Sequence, residues 1–379
     1  MRFIDNLNID FLSKRKMAYV ISGSILILGI LSLLLRGVEL GIDFKGGTQI
    51  ALQFENPVEI SDVRDNLLNI GLGNIEIKTF GGETGILVRT EMQEIPTDIF
   101  PKVINAIERN IDENFADTQK SIIDSTVNSV TVRFASPDIA TQVNSKLFQE
   151  GFQTSLASRE ADNLDVVFRV GIADWIEENL REKLPGNDFD VLKEEIVGPK
   201  IGGELKRDSI IAVILALIVI LVYLGFRFKF AFAVGAVAAL FHDVMITLGV
   251  FSLLYGVIPG LNLEISVSVV AAFLTLVGYS INDTVVVFDR VRENVKIHKT
   301  APLEDNINTA INKTMRRTIV TSLTTLFVVT VLLFFGGEVL RGFAFTLFLG
   351  ILVGTYSSIF VASSFVLEYA KSRKTKIEF

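Results

Sequence analysis

Cysteine is absent from all 379 residues, which excludes a disulfide framework, a thiolate nucleophile and any Cys-based metal site. Histidine occurs only twice, as His242 and His298, leaving little for a zinc centre. A basic surplus is also missing. The net charge is −7, and residues 36–208 hold 18 Lys and Arg against 31 Asp and Glu, so a central acidic segment sits between basic flanks. That distribution argues against nucleic-acid binding. Half of the chain is apolar, too much for one soluble domain, and about a fifth is charged, too much for a protein wholly inside lipid. A membrane protein with one substantial water-exposed domain fits both figures.

The apolar runs define six expected spans. After a polar lead over 1–16 ending in Lys14-Arg15-Lys16, residues 17–35 carry no charge and are long enough to cross the hydrocarbon core. This run ends in Leu33-Leu34-Leu35-Arg36 with no small-residue cleavage site, so it reads as a retained span with a cytoplasmic N-terminus. Five further spans are expected within 209–369: Ser209–Phe226, Phe230–Tyr255, then about 264–288, 318–335 and 342–369. Lys and Arg concentrate in the lead, at Arg227 and Lys229, in an expected loop over 289–317 and in the tail 370–379, while the two short opposite loops carry only Arg341. Both termini are therefore expected inside, with residues 36–208 on the far side.

Residues 36–208 contain an internal repeat. Slid by 80 residues, IALQFENPVEISDVRDNLLNIG from Ile50 lies over VTVRFASPDIATQVNSKLFQEG from Val130 without a gap. Phe54 falls on Phe134, Pro57 on Pro137, Gly71 on Gly151 and Arg89 on Arg169. Each unit reads as an alternating strand, a proline turn, an amphipathic helix, two strands and a second helix. The expected fold is thus a six-helix membrane protein plus an α+β periplasmic domain of two ferredoxin-like βαββα repeats, at about 48–112 and 128–184. Lys45-Gly46-Gly47-Thr48 superficially suggests a phosphate loop, but it precedes a strand and the glycine spacing is wrong.

A small set of polar residues interrupts the spans. The fourth brings Gly278, Ser280, Asn282, Asp283 and Thr284 together before the apolar run resumes. A carboxylate there is costly and marks a functional candidate, so Asp283 is read as a proton carrier facing the bundle interior. A static helix–helix hydrogen bond, or solvation near the headgroups, stays open as the alternative. His242 and Asp243 lie mid-way along the third span, as supporting groups or a packing pair. Arg316 and Arg317 open the fifth span, followed by Thr318, Thr321, Ser322, Thr324 and Thr325. An Asp283–Arg317 contact that forms and breaks would load and release a proton; the arginines also fit as positive-inside anchors. Serine and threonine stripes of this kind are commonly packing.

Several motifs in order, Gly41-Ile42-Asp43-Phe44-Lys45-Gly46-Gly47-Thr48, Val197-Gly198-Pro199 with Gly202, His242-Asp243, Gly278-Tyr279-Ser280-Ile281-Asn282-Asp283-Thr284 with Asp289-Arg290-Val291-Arg292-Glu293-Asn294, and Arg317-Thr318-Ile319-Val320-Thr321-Ser322, carry a resemblance over nearly the whole chain. It resembles the SecF branch of the SecD/SecF family of protein-export membrane subunits, in the resistance-nodulation-division superfamily. The resemblance implies pairing with SecD, docking on the SecYEG channel, association with YajC, and use of the inner-membrane proton gradient to help draw unfolded preproteins across. It implies no covalent catalysis and no cofactor beyond that gradient. Asp283 matches the family's intramembrane aspartate, and Arg317 its arginine before Thr-x-x-Thr-Ser. The usual SecF has one ferredoxin-like unit, so the second, from about Asn128 to Leu184, looks like an added duplicate. A proton-coupled permease half and a purely structural scaffold are the competing functional classes.

Overall fold

The structure, a computed structural model, describes residues 9–68, 70–115, 118–126, 128–149, 153–158, 163–258 and 261–373. Gly151 of the repeat and Lys374 and Lys376 of the tail lie outside them. The chain divides into two compact units, Lys45–Gly202 and a unit formed by the chain up to Phe44 and from Gly203 onward.

Helix α1 (Arg15–Leu35) is followed by a single turn, α2 (Ile42–Lys45). The α/β unit then runs β1 (Gly47–Phe54), α3 (Ile60–Leu67), β2 (Ile75–Thr79), β3 (Gly85–Thr90), α4 (Phe100–Asn114), β4 (Lys120–Thr126), β5 (Ser129–Phe134), α5 (Pro137–Gln149), β6 (Thr154–Leu156), β7 (Asp165–Arg169), α6 (Ile172–Lys183) and β8 (Phe189–Val197). Alternation builds the strands: Ile50, Leu52 and Phe54 of β1 and Val130, Val132 and Phe134 of β5 are all buried in one core. Helical spacing builds α4, whose Val103, Ala106, Ile107 and Ile111 share its buried face.

The strands form two antiparallel four-stranded sheets, β2-β3-β1-β8 and β4-β5-β7-β6. Each has the strand order of a ferredoxin-like unit. The βαββα grouping read from the repeat needs one correction: each unit's second helix, with a strand after it, serves the other unit's sheet. β8 pairs with β1 from Gly47↔Val197 to Phe54↔Phe189. α6 brings the Trp175 indole N–H within 3.0 Å of the Ile70 carbonyl and the Lys183 ammonium within 2.7 Å of the Asn66 carbonyl. In exchange β4 pairs with β5. α4 faces Phe168 and Val170 across a small cavity. Matching bulges identify β4 and β8 as the same element of the two repeats. Leu192 is the extra residue opposite Ala51 and Leu52, and Ile123 the extra one opposite Thr131 and Val132, positions 80 apart. The first sheet therefore uses 47–90 and 172–197, and the second uses the continuous stretch 100–169.

The membrane unit continues with α7 (Pro199–Arg227), α8 (Phe230–Leu254), α9 (Val267–Ile297), α10 (Leu303–Phe335), α11 (Gly337–Ser357), a π-helical turn at Ser358–Ala362 and α12 (Ser363–Arg373). Six segments among the described residues are long and apolar enough to cross a membrane. The loop expected over 289–317 is instead mostly helix, because α9 runs on to Ile297 and α10 begins at Leu303. Val291, Ile307, Ala310 and Ile311 explain this: they extend the apolar faces of both helices into the cluster around Val287 and Phe288. Phe232 and Phe288 meet edge-to-face there, at 4.9 Å. At the α1–α8 crossing, a Cβ on Gly29 would lie 3.0 Å from the Gly249 Cα, so two glycines permit the approach.

Candidate functional site

Among the described residues two aspartates are buried inside the bundle, and their surroundings differ. Asp243 on α8 is 1% exposed and fully engaged. Its Oδ2 accepts hydroxyl donors from Ser280 of α9 and from Ser357 of α11, each at 2.7 Å, and its Oδ1 lies 2.9 Å from His242 Nδ1. His242 Nε2 is 3.1 Å from the Ser22 hydroxyl of α1, which lies 3.0 Å from the Tyr356 hydroxyl. Tyr356 in turn donates to the Ala18 carbonyl at 2.9 Å. One hydrogen-bonded chain thus ties α1, α8, α9 and α11 together. Gly354 makes room for it, since a Cβ there would lie 3.0 Å from the Ser280 Oγ and 3.5 Å from Asp243 Oδ2.

Asp283, less than one turn beyond Ser280 on α9, is 4% exposed. Among the described residues its one hydrogen bond is from the Ser322 hydroxyl of α10, at 3.4 Å. That hydroxyl is also 2.7 Å from Thr355 Oγ1 of α11. A buried carboxylate held by one long bond is poorly compensated when ionised, and when neutral it can itself donate to Ser322. Asp283 therefore sits where α9, α10 and α11 meet. The π-helical turn begins three residues after Thr355, a distortion common where helices carry function.

The other expected residues fall as follows. Ser280 joins Asp243 rather than Asp283. Asn282 is exposed on α9 and joins neither carboxylate. Arg317 is exposed on α10, and among the described residues no ion pair joins it to Asp283. Sequence reasoning passed over Ser22, Tyr356, Ser357 and Thr355. Ser22 lies in a mostly apolar run and Thr355-Tyr356-Ser357 in a short polar stretch of the sixth span, and only the packing shows which of them join the carboxylate networks. Ser322 belongs to the polar stripe of the fifth span, and its link to Asp283 depends on how α9 and α10 cross.

A six-span bundle with carboxylates buried where helices meet, carrying a duplicated α/β insert, is a polytopic membrane protein of the kind that moves protons or solutes. Residues 176–372 match the family described as protein export membrane protein SecD/SecF, C-terminal, and residues 31–58 match the SecD/SecF GG motif. The protein translocase subunit SecF of Rhodothermus marinus is 41% identical over 97% of this chain and 95% of its own. That of Calditerrivibrio nitroreducens is 35% identical over 97% and 96%. Among solved structures, SecDF of Thermus thermophilus, a translocon-associated membrane protein, is 29% identical with a TM-score of 0.66, over 98% of this chain and 40% of that one. The chain belongs to the SecD/SecF family.

Proposed function

We propose that this protein is the SecF subunit of the Sec translocase accessory complex and uses the proton gradient to assist export of unfolded preproteins. The observation that carries the reading is Asp283, buried among three helices and held, among the described residues, by a single long hydrogen bond. Protons arriving there rearrange the α9–α10 contact, and Arg317, exposed one turn before Thr321 on α10, is the cation that approaches when Asp283 is ionised. Asp243, satisfied on both oxygens, is the static brace of the bundle. The chain matches only 40% of the SecDF chain, which supports a separate SecD subunit completing the assembly. The family resemblance supports docking on the SecYEG channel, with YajC alongside. The distribution of Lys and Arg supports an inner-membrane orientation with both termini in the cytoplasm and the α/β unit in the periplasm. The reaction is mechanical, and no bond-making step is assigned to it.

The test is Asp283→Asn in the assembled complex, with export measured with and without an imposed proton gradient. The substitution keeps the shape and removes the titrating group. Assembly is expected to be normal and the gradient-dependent part of export to disappear. Normal assembly with an undiminished response to the gradient would instead make the bundle a scaffold.

A further inference from the structure

The chain between α1 and the α/β unit is fastened to the head of α9. Ile265 N–H donates to the Glu39 carbonyl and Gly41 N–H to the Ile265 carbonyl, both at 2.8 Å, with Leu40 and Ile265 forming a parallel bridge between them. Gly41 is needed for this approach, since a Cβ there would stand 3.3 Å from the Ile265 carbonyl oxygen. Asp43 completes the junction: its Oδ2 accepts the Val267 N–H, the first of α9, at 2.8 Å. Ser266 Oγ covers the Val269 N–H of the same turn. A carboxylate at this end of a helix is favoured by both the free N–H groups and the helix dipole.

We infer that Asp43 is a positioning residue that couples the α/β unit to the proton site. Only Phe44 separates Asp43 from Lys45, where the α/β unit begins. From Val267, α9 runs unbroken through Asp283, sixteen residues on, or roughly 24 Å at the helical rise. A continuous helix passes an axial shift along its length, so a rearrangement at Asp283 reaches Val267 and, through Asp43, the covalent start of the α/β unit. The other connection, through α7, offers less purchase because Leu224 is the one fully buried residue along the apolar length 209–226 of that helix. Asp43 touches no proton; it keeps the two ends of this linkage together. The inference rests on the proton-coupled reading of Asp283.

The experiment uses the full chain in membrane vesicles with the assembled translocase, measuring how much an imposed proton gradient raises export of a labelled preprotein. Losing one N-terminal cap acceptor shifts such a junction's closed-to-open ratio by about fivefold. Asp43→Ala should reduce the gradient-dependent gain by up to that factor, and Asp43→Asn, which keeps an acceptor oxygen, should restore it. Because the chain has no cysteine, Leu40→Cys with Ile265→Cys leaves one possible bridge within the chain, and non-reducing gel mobility distinguishes it from a bridge to another chain. Oxidation should return the gain to the Asp43→Ala protein, and reduction should remove it again. A parent-like gain in Asp43→Ala, or an oxidised bridge that restores nothing, overturns the inference. If Asp43→Ala does not accumulate, the bridge in an otherwise native chain decides: the gain should survive oxidation, and its loss refutes the coupling. Asp283→Asn separates the two claims. A normal gain there defeats the proton reading itself, whereas a silent Asp283→Asn beside a parent-like Asp43→Ala defeats only the role of Asp43.

Discussion

Glu177 on α6 gives the α/β unit a pH dependence that can be worked out in advance. Burial raises its carboxyl from 4.5 to about 7; Asp174 and Glu194 push it the same way, and Arg181 opposes them. Below about pH 4.5 the group is neutral whether the unit is folded or unfolded; between there and pH 7 only the folded form holds the proton. Stability is therefore fully present at the acid end and falls as pH rises through 7. The full shift corresponds to roughly 3–4 kcal/mol at about 1.4 kcal/mol per unit. Glu177 is only half-buried, and screening brings the expected loss between pH 5 and pH 8 to roughly 2 kcal/mol. Glu177→Gln should remove that part of the slope and make the variant the more stable protein at pH 8. Asp174 and Glu194, also raised by burial, leave a residual slope in both. Urea unfolding followed by fluorescence suits the question, because the chain's one tryptophan, Trp175, lies two residues away and donates to the Ile70 carbonyl. Equal losses in parent and variant from pH 5 to pH 8 would show that Glu177 is not held as described.

Two more outcomes follow from the packing. Deleting 91–171 and joining Thr90 to Ile172 by a short linker leaves every element of the first sheet, so the protein should insert and keep a protease-resistant α/β core. Deleting 128–184 removes α6 as well as β5, and its α/β unit should be digested quickly; the reverse ranking in limited proteolysis would refute the exchange of arms. Gly354→Val places a branched side chain against Ser280 and should lower stability in detergent by about 1–3 kcal/mol. Unchanged thermal unfolding would mean that the Asp243 network does not depend on that approach.

Much of this molecule is written locally. Nineteen uncharged residues announce α1, and Ile50, Leu52 and Phe54 announce a half-buried strand, because period and length are properties of the stretch itself. The burial of Asp243 and Asp283 was legible for the same reason, each lying inside an otherwise apolar segment long enough to span a membrane. What was not legible was which surface meets which. The apolar face of α6 shows that it packs on something, and nothing in its periodicity says that the sheet belongs to β1 rather than β5. Ser357 and Ser358 are equally polar on paper, yet Ser357 donates to Asp243 while Ser358 donates to its own helix. Asn282, adjacent to the key aspartate in sequence, points away because one residue turns a helix by about 100°.

The exchanged arms also set an order of assembly. The second sheet closes within one stretch of about seventy residues, whereas β1 must wait for β8, with Gly47 and Val197 as partners. As the chain is made from its N-terminus, the first sheet stands three-stranded, with β1 exposed along one edge, while the later sheet is already complete. An unpaired edge of this kind invites foreign strands. Its exposure ends only when synthesis reaches β8, just before α7. Arresting synthesis before and after residue 197 and comparing protease cleavage in β1 would time that closure.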